Sequence, residues 1–366
     1  MIDFDIRPAA DPVPDERRAQ VLAAPGFGQV FTDHMVTMRW SAEQGWHKAR
    51  LEPYGPLTLY PATSVFHYGQ EFFEGMKAYR QDSGAITLFR PEMNALRFNV
   101  SARRMAMPEV PVETFIRALE LLVTQDREWV PAGPGDSLYL RPFMIATDHG
   151  LGFTHPSSSY LFCLIASPAT AYFGGGPPRP LTVWLSEQYT RAAKGGTGFA
   201  KTGGNYAGAF AAGIEATARG CDQVVWLDAV EHRWVEEMGG MNLFFVYAPP
   251  GTPPRIMTPE LTGTLLPGVT RDSLLTLAPR LGIQAGQGRI STGQWRAECA
   301  AGELTEAFAC GTAAVMAPVG MVKSTAGQWI VGDGGPGEVT MRLREELLGI
   351  QYGLLPDPFD WIHKVC

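Results

Sequence analysis

Paired cysteines, long apolar runs and an excess of basic charge are all missing from this 366-residue chain. Each absence removes a class of protein. No uninterrupted apolar stretch approaches the ~20 residues that a helix needs to span a bilayer, so a membrane partner is not expected. The chain carries 30 basic and 37 acidic side chains, for a net charge of −7. That is the wrong sign for a nucleic-acid footprint. The five cysteines, Cys163, Cys221, Cys299, Cys310 and Cys366, are odd in number, scattered and free of any Cys-x-x-Cys. They read as separate reduced thiols of a cytoplasmic protein, not as a disulfide framework or zinc site. The seven histidines show no His-x-x-x-His, and no metal is expected. The first residues, Met1-Ile2-Asp3-Phe4-Asp5, lack the basic-then-apolar order of a secretory leader. There is no internal repeat and no low-complexity tract.

What is present is an ordinary globular composition, 45% apolar and 18% charged, long enough for two domains or one large one. Residues 1–26 are polar and proline-rich and read as an extended arm. Strands are expected over 31–40, 85–89, 138–146 and 160–167 from their alternating or continuous apolar character. Arg90-Pro91 opens a helix with proline in its first turn. Met93, Leu96 and Val100 give that helix an apolar stripe, with Arg97 near its edge. A second helix carries Phe115, Ile116, Leu119, Leu122 and Val123 on one face. Between the first strands, residues 67–79 are unusually dense in aromatic side chains.

The run Gly174-Gly175-Gly176-Pro177-Pro178 is the best linker in the chain. It divides an N-terminal α/β domain (1–170) from a C-terminal domain (181–366), with 171–180 between them. Beyond it, 181–186, 223–228 and 242–248 read as strands. Residues 207–219 read as a helix closed by Gly220, and 270–281 and 339–349 as further helices. Neither half alternates regularly enough to force a doubly wound parallel sheet.

The stretch that carries chemistry is Phe199-Ala200-Lys201-Thr202-Gly203-Gly204-Asn205-Tyr206. A lysine ammonium is normally a solvated point charge. Desolvated beside glycines and a phenol, its amine can attack a carbonyl and form a Schiff base. Lys194 sits in a similar Gly-Gly context. Lys201 is preferred because its Gly-Gly-Asn-Tyr tail offers close backbone approach and the Tyr206 phenol. Four further features ask for the same partner, a phosphorylated aromatic aldehyde with a protonated ring nitrogen. Glu236-Glu237 precede a glycine turn and a strand. Glu237, next to the turn, is the acid expected beside the ring nitrogen, which it would keep protonated. Leu266-Pro267-Gly268-Val269-Thr270 opens a helix, whose first amides make a phosphate cradle, although Thr270 serves equally as an ordinary cap. Cys310-Gly311-Thr312-Ala313 is a turn that offers amides and the Thr312 hydroxyl. Arg97 offers a bidentate fork for phosphate.

Taken together, Phe-Glu-Gly-Met-Lys-Ala-Tyr (73–79), Phe-Arg-Pro (89–91) with Arg97, Tyr-Leu-Arg-Pro (139–142), Lys-Thr-Gly-Gly-Asn-Tyr (201–206), Glu-Met-Gly-Gly-Met-Asn (237–242) and Leu-Pro-Gly-Val-Thr-Arg (266–271) resemble the branched-chain amino acid aminotransferases. These are fold-type IV pyridoxal-phosphate enzymes. The resemblance implies a two-domain α/β (α+β) fold with an active site between a smaller N-terminal and a larger C-terminal domain. It also implies pyridoxal 5'-phosphate as cofactor, a homodimer, and transfer of the amino group of leucine, isoleucine or valine to 2-oxoglutarate. By the same resemblance Lys201 is the Schiff-base lysine, Tyr206 the partner of the cofactor's phenolic oxygen and Glu237 the acid on its ring nitrogen. Arg97, the amides of Val269 and Thr270, and Thr312 form the phosphate cradle. Phe27, Tyr68, Phe73, Tyr139, Arg141, Thr312 and Ala313 line the substrate site. A loop near Leu151-Gly152-Phe153 reaches the neighbouring subunit's site.

Two departures stand out. Ala313-Ala314-Val315-Met316 holds no Cys-x-x-Cys, so the thiol switch of some vertebrate members is not expected. Gly240 stands where relatives often have threonine. D-amino acid transamination, aminodeoxychorismate lysis and cofactor binding without catalysis remain the alternatives. The aromatic pocket favours the branched-chain reaction.

Overall fold

A computed structural model describes residues 2–152, 154–170 and 178–366. Residues 171–177 of the expected linker, and Phe153 of the expected intersubunit loop, lie outside the described residues. The described chain groups into two compact units. One comprises the residues before 171 with Ala200–Gly203 and Ile350–Cys366, and the other residues 178–199 with Gly204–Gly349.

The first unit holds α1 (Asp15–Leu22), α2 (Val65–Tyr68), α3 (Pro91–Arg104) and α4 (Val112–Gln125), with strands β1 (Asp5–Ile6), β2 (His34–Ser41), β3 (Gly45–Pro53), β4 (Glu71–Phe73), β5 (Met76–Arg80), β6 (Ile86–Phe89), β7 (Ser137–Ala146) and β8 (Ser159–Ala169). The second holds β9 (Leu181–Ser186), β10 (Gln223–Leu227), β11 (Val235–Met238), β12 (Met241–Tyr247), β13 (Arg255–Pro259), β14 (Gln284–Gly288), β15 (Glu306–Gly311), β16 (Val315–Ser324) and β17 (Gly327–Ile330). Its helices include α5 (Gly203–Ala207), α6 (Phe210–Ala218), α7 (Val269–Leu277) and α8 (Thr292–Ala300); α9 (Glu338–Gln351) and β18 (Ile362–Lys364) end the chain.

In the first sheet the strand order is β1-β3-β2-β8-β7-β5-β6-β18, and β4 adds to β7. The expected strands over 138–146 and 160–167 are its central pair. They run antiparallel in full register from Ser137↔Ala169 to Ala146↔Tyr160. β7 alternates buried and half-buried residues along its length, the period-2 signature of a strand with one face on the core. The sheet's core contains a cluster of aromatic rings among aliphatic side chains. Phe98 packs on Phe72 at 4.5 Å, on Phe115 at 5.2 Å and on Phe162 at 5.6 Å. Each ring so buried stabilises by about 1.5–3 kcal/mol. α4 turns the predicted stripe inward, with Phe115, Leu119, Leu122 and Val123 all buried.

α3 begins at Pro91 as expected, but its face is a correction to the sequence reading. Leu96, assigned to the apolar stripe, is 52% exposed, while Arg97, placed at the edge, is 7% exposed. The buried side of α3 holds Asn94, Arg97, Asn99 and Ser101 beside Phe98 and Ala102. Those polar groups are drawn inward by specific partners rather than by apolar periodicity. Asn99, for example, both donates to Val110 O at 2.8 Å and accepts from Val110 N at 2.9 Å.

The second unit's sheet runs β11-β10-β9-β16-β15-β12-β13-β14, and β11 also pairs with β12. Those pairings close a circuit of strands, β11-β10-β9-β16-β15-β12, which removes the free edge of β11. Parallel pairs such as β9–β10 and β9–β16 occur in the same sheet as antiparallel ones such as β12–β15 and β15–β16. This is the mixed pairing that the irregular strand–helix order anticipates. Phe244 and Phe308 stack at 5.1 Å on facing strands. Ala212 and Ala216 of α6 pack on Trp184 and Trp226. The helix expected over 207–219 begins earlier, with the short α5 at Gly203, so the glycines after the lysine are helical and not an open turn.

Candidate active site

In the first unit, Lys201 is half-buried and held through its backbone. Its amide donates to Ser101 Oγ at 3.0 Å, and its carbonyl accepts from the Phe73 amide at 2.9 Å. Its Nζ lies 5.0 Å from the centre of the Phe73 ring. The rival Lys194 is exposed on a turn. Arg141 lies over the same Phe73 ring at 4.6 Å, and its Nη2 donates to the Tyr139 hydroxyl at 3.2 Å. Phe27 meets Tyr139 edge-on at 5.1 Å. Phe27, Phe73, Tyr139, Arg141 and Lys201 thus form one connected group. Gly75 makes room for it, because a Cβ there would lie 1.9 Å from the Tyr139 hydroxyl. Tyr68 stands apart in exposure, 43% open, and donates its hydroxyl to Leu151 O.

Arg97 is placed by an acid that the sequence reading did not single out. Glu74 is fully buried and accepts Arg97 Nε at 2.6 Å and Nη2 at 2.9 Å, with Asn94 Nδ2 also at 2.9 Å. Burial alone would push this carboxyl up, but the Arg97 guanidinium, helped by Lys201 and Asn94, holds it below the usual range. Only the position of Glu74 inside the aromatic run could have hinted at it.

In the second unit, Glu236 and Glu237 sit on β11 itself, and Gly239 and Gly240 turn the chain into β12. Adjacent strand residues point to opposite faces, yet both acids are buried. Glu237 is 2% exposed; its Oε1 accepts Leu266 N at 2.7 Å and Asn242 Nδ2 at 3.3 Å. Its Oε2 lies 2.9 Å from Arg191 Nη2. Arg191 is a second residue the sequence reading missed. The same Nη2 reaches Thr264 O at 2.7 Å and Gly198 O at 3.3 Å, tying two loops together. Glu236 instead accepts the Thr264 hydroxyl at 2.5 Å. Its carboxyl is pushed up by burial, against the pull of Thr264 and Arg191. The two neighbours therefore differ, one ion-paired and one bonded to a neutral hydroxyl.

Tyr206 lies on α5, and its ring lies against Gly240, where a Cβ would come 3.3 Å from Tyr206 Cε1. Gly268 is the N-cap of α7 and has no side-chain cap bond; Val269 and Thr270 are the first two helical residues. Thr270 is therefore not the cap, which corrects that alternative. At these positions the amides have no intrahelical acceptor. Gly268 is required by close approach, since a Cβ would strike Asn242 Oδ1 at 2.1 Å. Thr312 and Ala313 occupy the tight loop between the antiparallel strands β15 and β16. Among the described residues there is no His/Cys/Asp/Glu group that could hold a metal ion.

A phosphorylated pyridine aldehyde needs an amine, an acid, a phenol and anion-binding amides. Each of these donor types is present in one unit or the other: a half-buried lysine in the first, and in the second a buried carboxylate already accepting two N–H groups, a phenol against a glycine, and helix-opening amides after a glycine whose Cβ would clash with Asn242.

Residues 71–322 match the model of the amino-transferase class IV family. A probable branched-chain-amino-acid aminotransferase of Streptomyces coelicolor is 57% identical over 364 residues, 99% of either chain. The branched-chain-amino-acid aminotransferase of Mycolicibacterium smegmatis is 53% identical, covering 100% of this chain and 98% of that one. Among solved structures, a T.th. branched-chain amino acid aminotransferase with pyridoxamine 5'-phosphate superposes with a TM-score of 0.72 at 28% identity, over 90% of this chain and 98% of the other.

Proposed function

We infer the reaction from the premise that this chain belongs to the class IV aminotransferases, and within them to the branched-chain-amino-acid aminotransferases. It is a transaminase that moves the amino group of L-leucine, L-isoleucine or L-valine to 2-oxoglutarate, reversibly, leaving the branched-chain 2-oxo acid and L-glutamate. The observation that carries the assignment to residues is the half-buried Lys201, with its peptide bonded on both sides and its amine over the Phe73 ring.

We propose pyridoxal 5'-phosphate as the cofactor, held by Lys201, Arg97, Tyr206, Glu237, Val269, Thr270 and Thr312. When bound, it supplies an aldehyde that takes up the amino group and a ring that delocalises charge from the substrate's α-carbon. The rest is done by the chain. Lys201 Nζ takes the α-proton as base and gives one back as acid. Glu237 supplies a fixed negative charge for a protonated ring nitrogen, and its bonds to Leu266 and Asn242 keep it oriented. Tyr206 offers a phenol hydrogen bond, and the α7 amides with Arg97 and Thr312 offer an anion cradle. Phe27, Phe73 and Tyr139 present apolar rings to a branched side chain, and Tyr68 extends that surface. Arg141, Tyr139, Thr312 and Ala313 offer donors to the carboxylate end. A homodimer in the cytoplasm completes the proposal; free thiols at all five cysteines support the reducing compartment.

The test is a half-reaction panel on cofactor-loaded protein. Added L-leucine, L-isoleucine and L-valine should each shift the visible absorption band, and D-alanine should not. Lys201→Ala should abolish turnover while the chain stays folded. Retained turnover in that variant would remove Lys201 from its role. A D-alanine response without an L-leucine response would overturn the substrate assignment.

A further inference from the structure

Lys201 is followed by Thr202-Gly203-Gly204, a stretch with little intrinsic stiffness, because glycine restricts the backbone least. A proton-transferring amine at the end of a four-carbon stem is only as well aimed as the backbone that carries it. Besides the short α5 that opens at Gly203, strand β4 and one residue of α3 fix that backbone. From β4, Glu71 Oε1 accepts the Gly203 amide at 2.5 Å and the Thr202 hydroxyl at 3.1 Å. Two residues along the same strand, the Phe73 amide donates to Lys201 O at 2.9 Å. From α3, Ser101, itself fully buried, accepts the Lys201 amide at 3.0 Å. Positions 201, 202 and 203 are therefore each held by a side chain or amide distant in sequence.

Glu71 stands out in this set because it contributes a charged acceptor to two residues at once. The residue opposite it has also been fitted to it. A Cβ on Gly203 would lie 2.6 Å from Glu71 Oε1 and 3.2 Å from its Cδ. The glycine after Lys201-Thr202 therefore serves the approach of this carboxylate; a Cβ on Gly204 would meet nothing within 4 Å. Burial raises the Glu71 carboxyl, against the Gly203 amide and the Thr202 hydroxyl. Partial desolvation of an acid held by these two neutral donors is a cost that the fold accepts for the two bonds.

We propose that Glu71 is a positioning residue for the amine of Lys201: it clamps the peptide after the lysine through Thr202 and Gly203, and so fixes where Nζ stands during proton transfer. The inference rests on the reading of Lys201 as the proton-transferring base. Glu71 itself touches no reacting atom. Its function is geometric, so a neutral acceptor of the same shape should replace it.

The experiment compares Glu71→Ala, Glu71→Gln and Thr202→Val with the parent protein by two measurements. The first is steady-state kinetics of the cofactor-loaded enzyme with L-leucine. Glu71→Ala should lower kcat about 10- to 100-fold with KM for L-leucine changed less than about threefold, as expected for a misaimed catalytic group. Glu71→Gln should recover most of that loss. Thr202→Val, which removes one of the two bonds and is the milder change, should give a smaller loss of the same kind. The second measurement is amide hydrogen exchange of the peptide spanning 199–206 in cofactor-free protein. It should speed up about tenfold in Glu71→Ala and little in Glu71→Gln, the scale of one hydrogen bond. Unchanged exchange in Glu71→Ala would overturn the clamp. Faster exchange with parental kcat would show a clamp without catalytic consequence and overturn the positioning role. An equal kcat loss in Glu71→Gln and Glu71→Ala would mean that charge matters and not position, and would overturn it too. The exchange measurement is independent of the reaction assignment, which fails separately if Lys201→Ala retains turnover.

Discussion

Replacing Arg191 with methionine keeps most of the side-chain volume and removes one charge of a buried pair. The Arg191 side chain is 8% exposed and that of Glu237 2%, with 2.9 Å between them. Breaking a buried pair by deleting one member costs about 3–5 kcal/mol, because the surviving charge keeps its desolvation penalty. Here the penalty falls on two acids, since Arg191 also acts on Glu236. Loss of the bonds to Thr264 O and Gly198 O adds to it. Urea unfolding of the cofactor-free protein, followed by tryptophan fluorescence, excludes any contribution from ligand binding. With m of about 3 kcal/mol per M, the midpoint should fall by about 1 M or more. The pH dependence gives a second reading with a definite sign. Glu236 is already raised by burial, and removing the guanidinium that opposes this raises it further. An acid whose folded pKa lies above its unfolded value binds a proton more readily when folded. The variant's deficit should therefore shrink as pH falls from about 7.5 towards about 5.5. The double variant Arg191→Met/Glu237→Gln should recover part of the loss, because a buried amide needs no counter-charge. A deficit below about 1 kcal/mol at neutral pH, or one that grows on acidification, would refute the view that this pair organises the site.

Glu74→Gln should cost about 3–5 kcal/mol at neutral pH by leaving Arg97 buried without its carboxylate. Because the Glu74 carboxyl is lowered, its contribution is fully present above the ordinary carboxylate range and is lost as pH falls through the lowered value. The variant should accordingly lose less stability than the parent between about pH 4.5 and about pH 2, and parallel acid-unfolding curves would contradict the assignment. Cys163 is pushed up to about 12 by burial, and burial also raises Cys310. Iodoacetamide at about pH 7.5 should leave both unmodified in the native protein, as judged by peptide mass spectrometry; rapid labelling of either would disprove their burial.

The parts of the fold legible in the sequence are those in which periodicity and burial coincide. β7, β8 and α4 carry their apolar residues at the spacing their geometry demands, and each is readable for that reason. β3 has the sequence Gly-Trp-His-Lys-Ala-Arg-Leu-Glu-Pro, too polar to announce a strand; it forms because β2 offers it a ladder. β14, with three exposed residues among five, depends in the same way on β13. Ladder partners distant in sequence leave no local signature.

The candidate site divides along the same line. Groups that the proposed chemistry uses sit in short, recognisable runs, as Lys201-Thr202-Gly203-Gly204 and Glu237-Met238-Gly239-Gly240 do. Groups that hold them in place do not. Glu74 is 23 residues from Arg97, and Glu71 is 132 residues from Gly203. Arg191 stands in a loop that, read alone, offers only one more basic side chain. The reading of Arg97 shows the consequence. From sequence it is a fork near the edge of an apolar stripe, offered to phosphate. In the structure two of its nitrogens are committed to a buried carboxylate. On the proposed function, a guanidinium fixed this way would lose little further rotamer entropy on meeting an anion. Glu74 and Arg191 each bind one side of a charged group, Arg97 and Glu237, that the proposed chemistry uses, and Glu71 binds the two residues after Lys201. The sequence motifs mark the sides proposed to face a ligand, and only packing reveals the supporting ones.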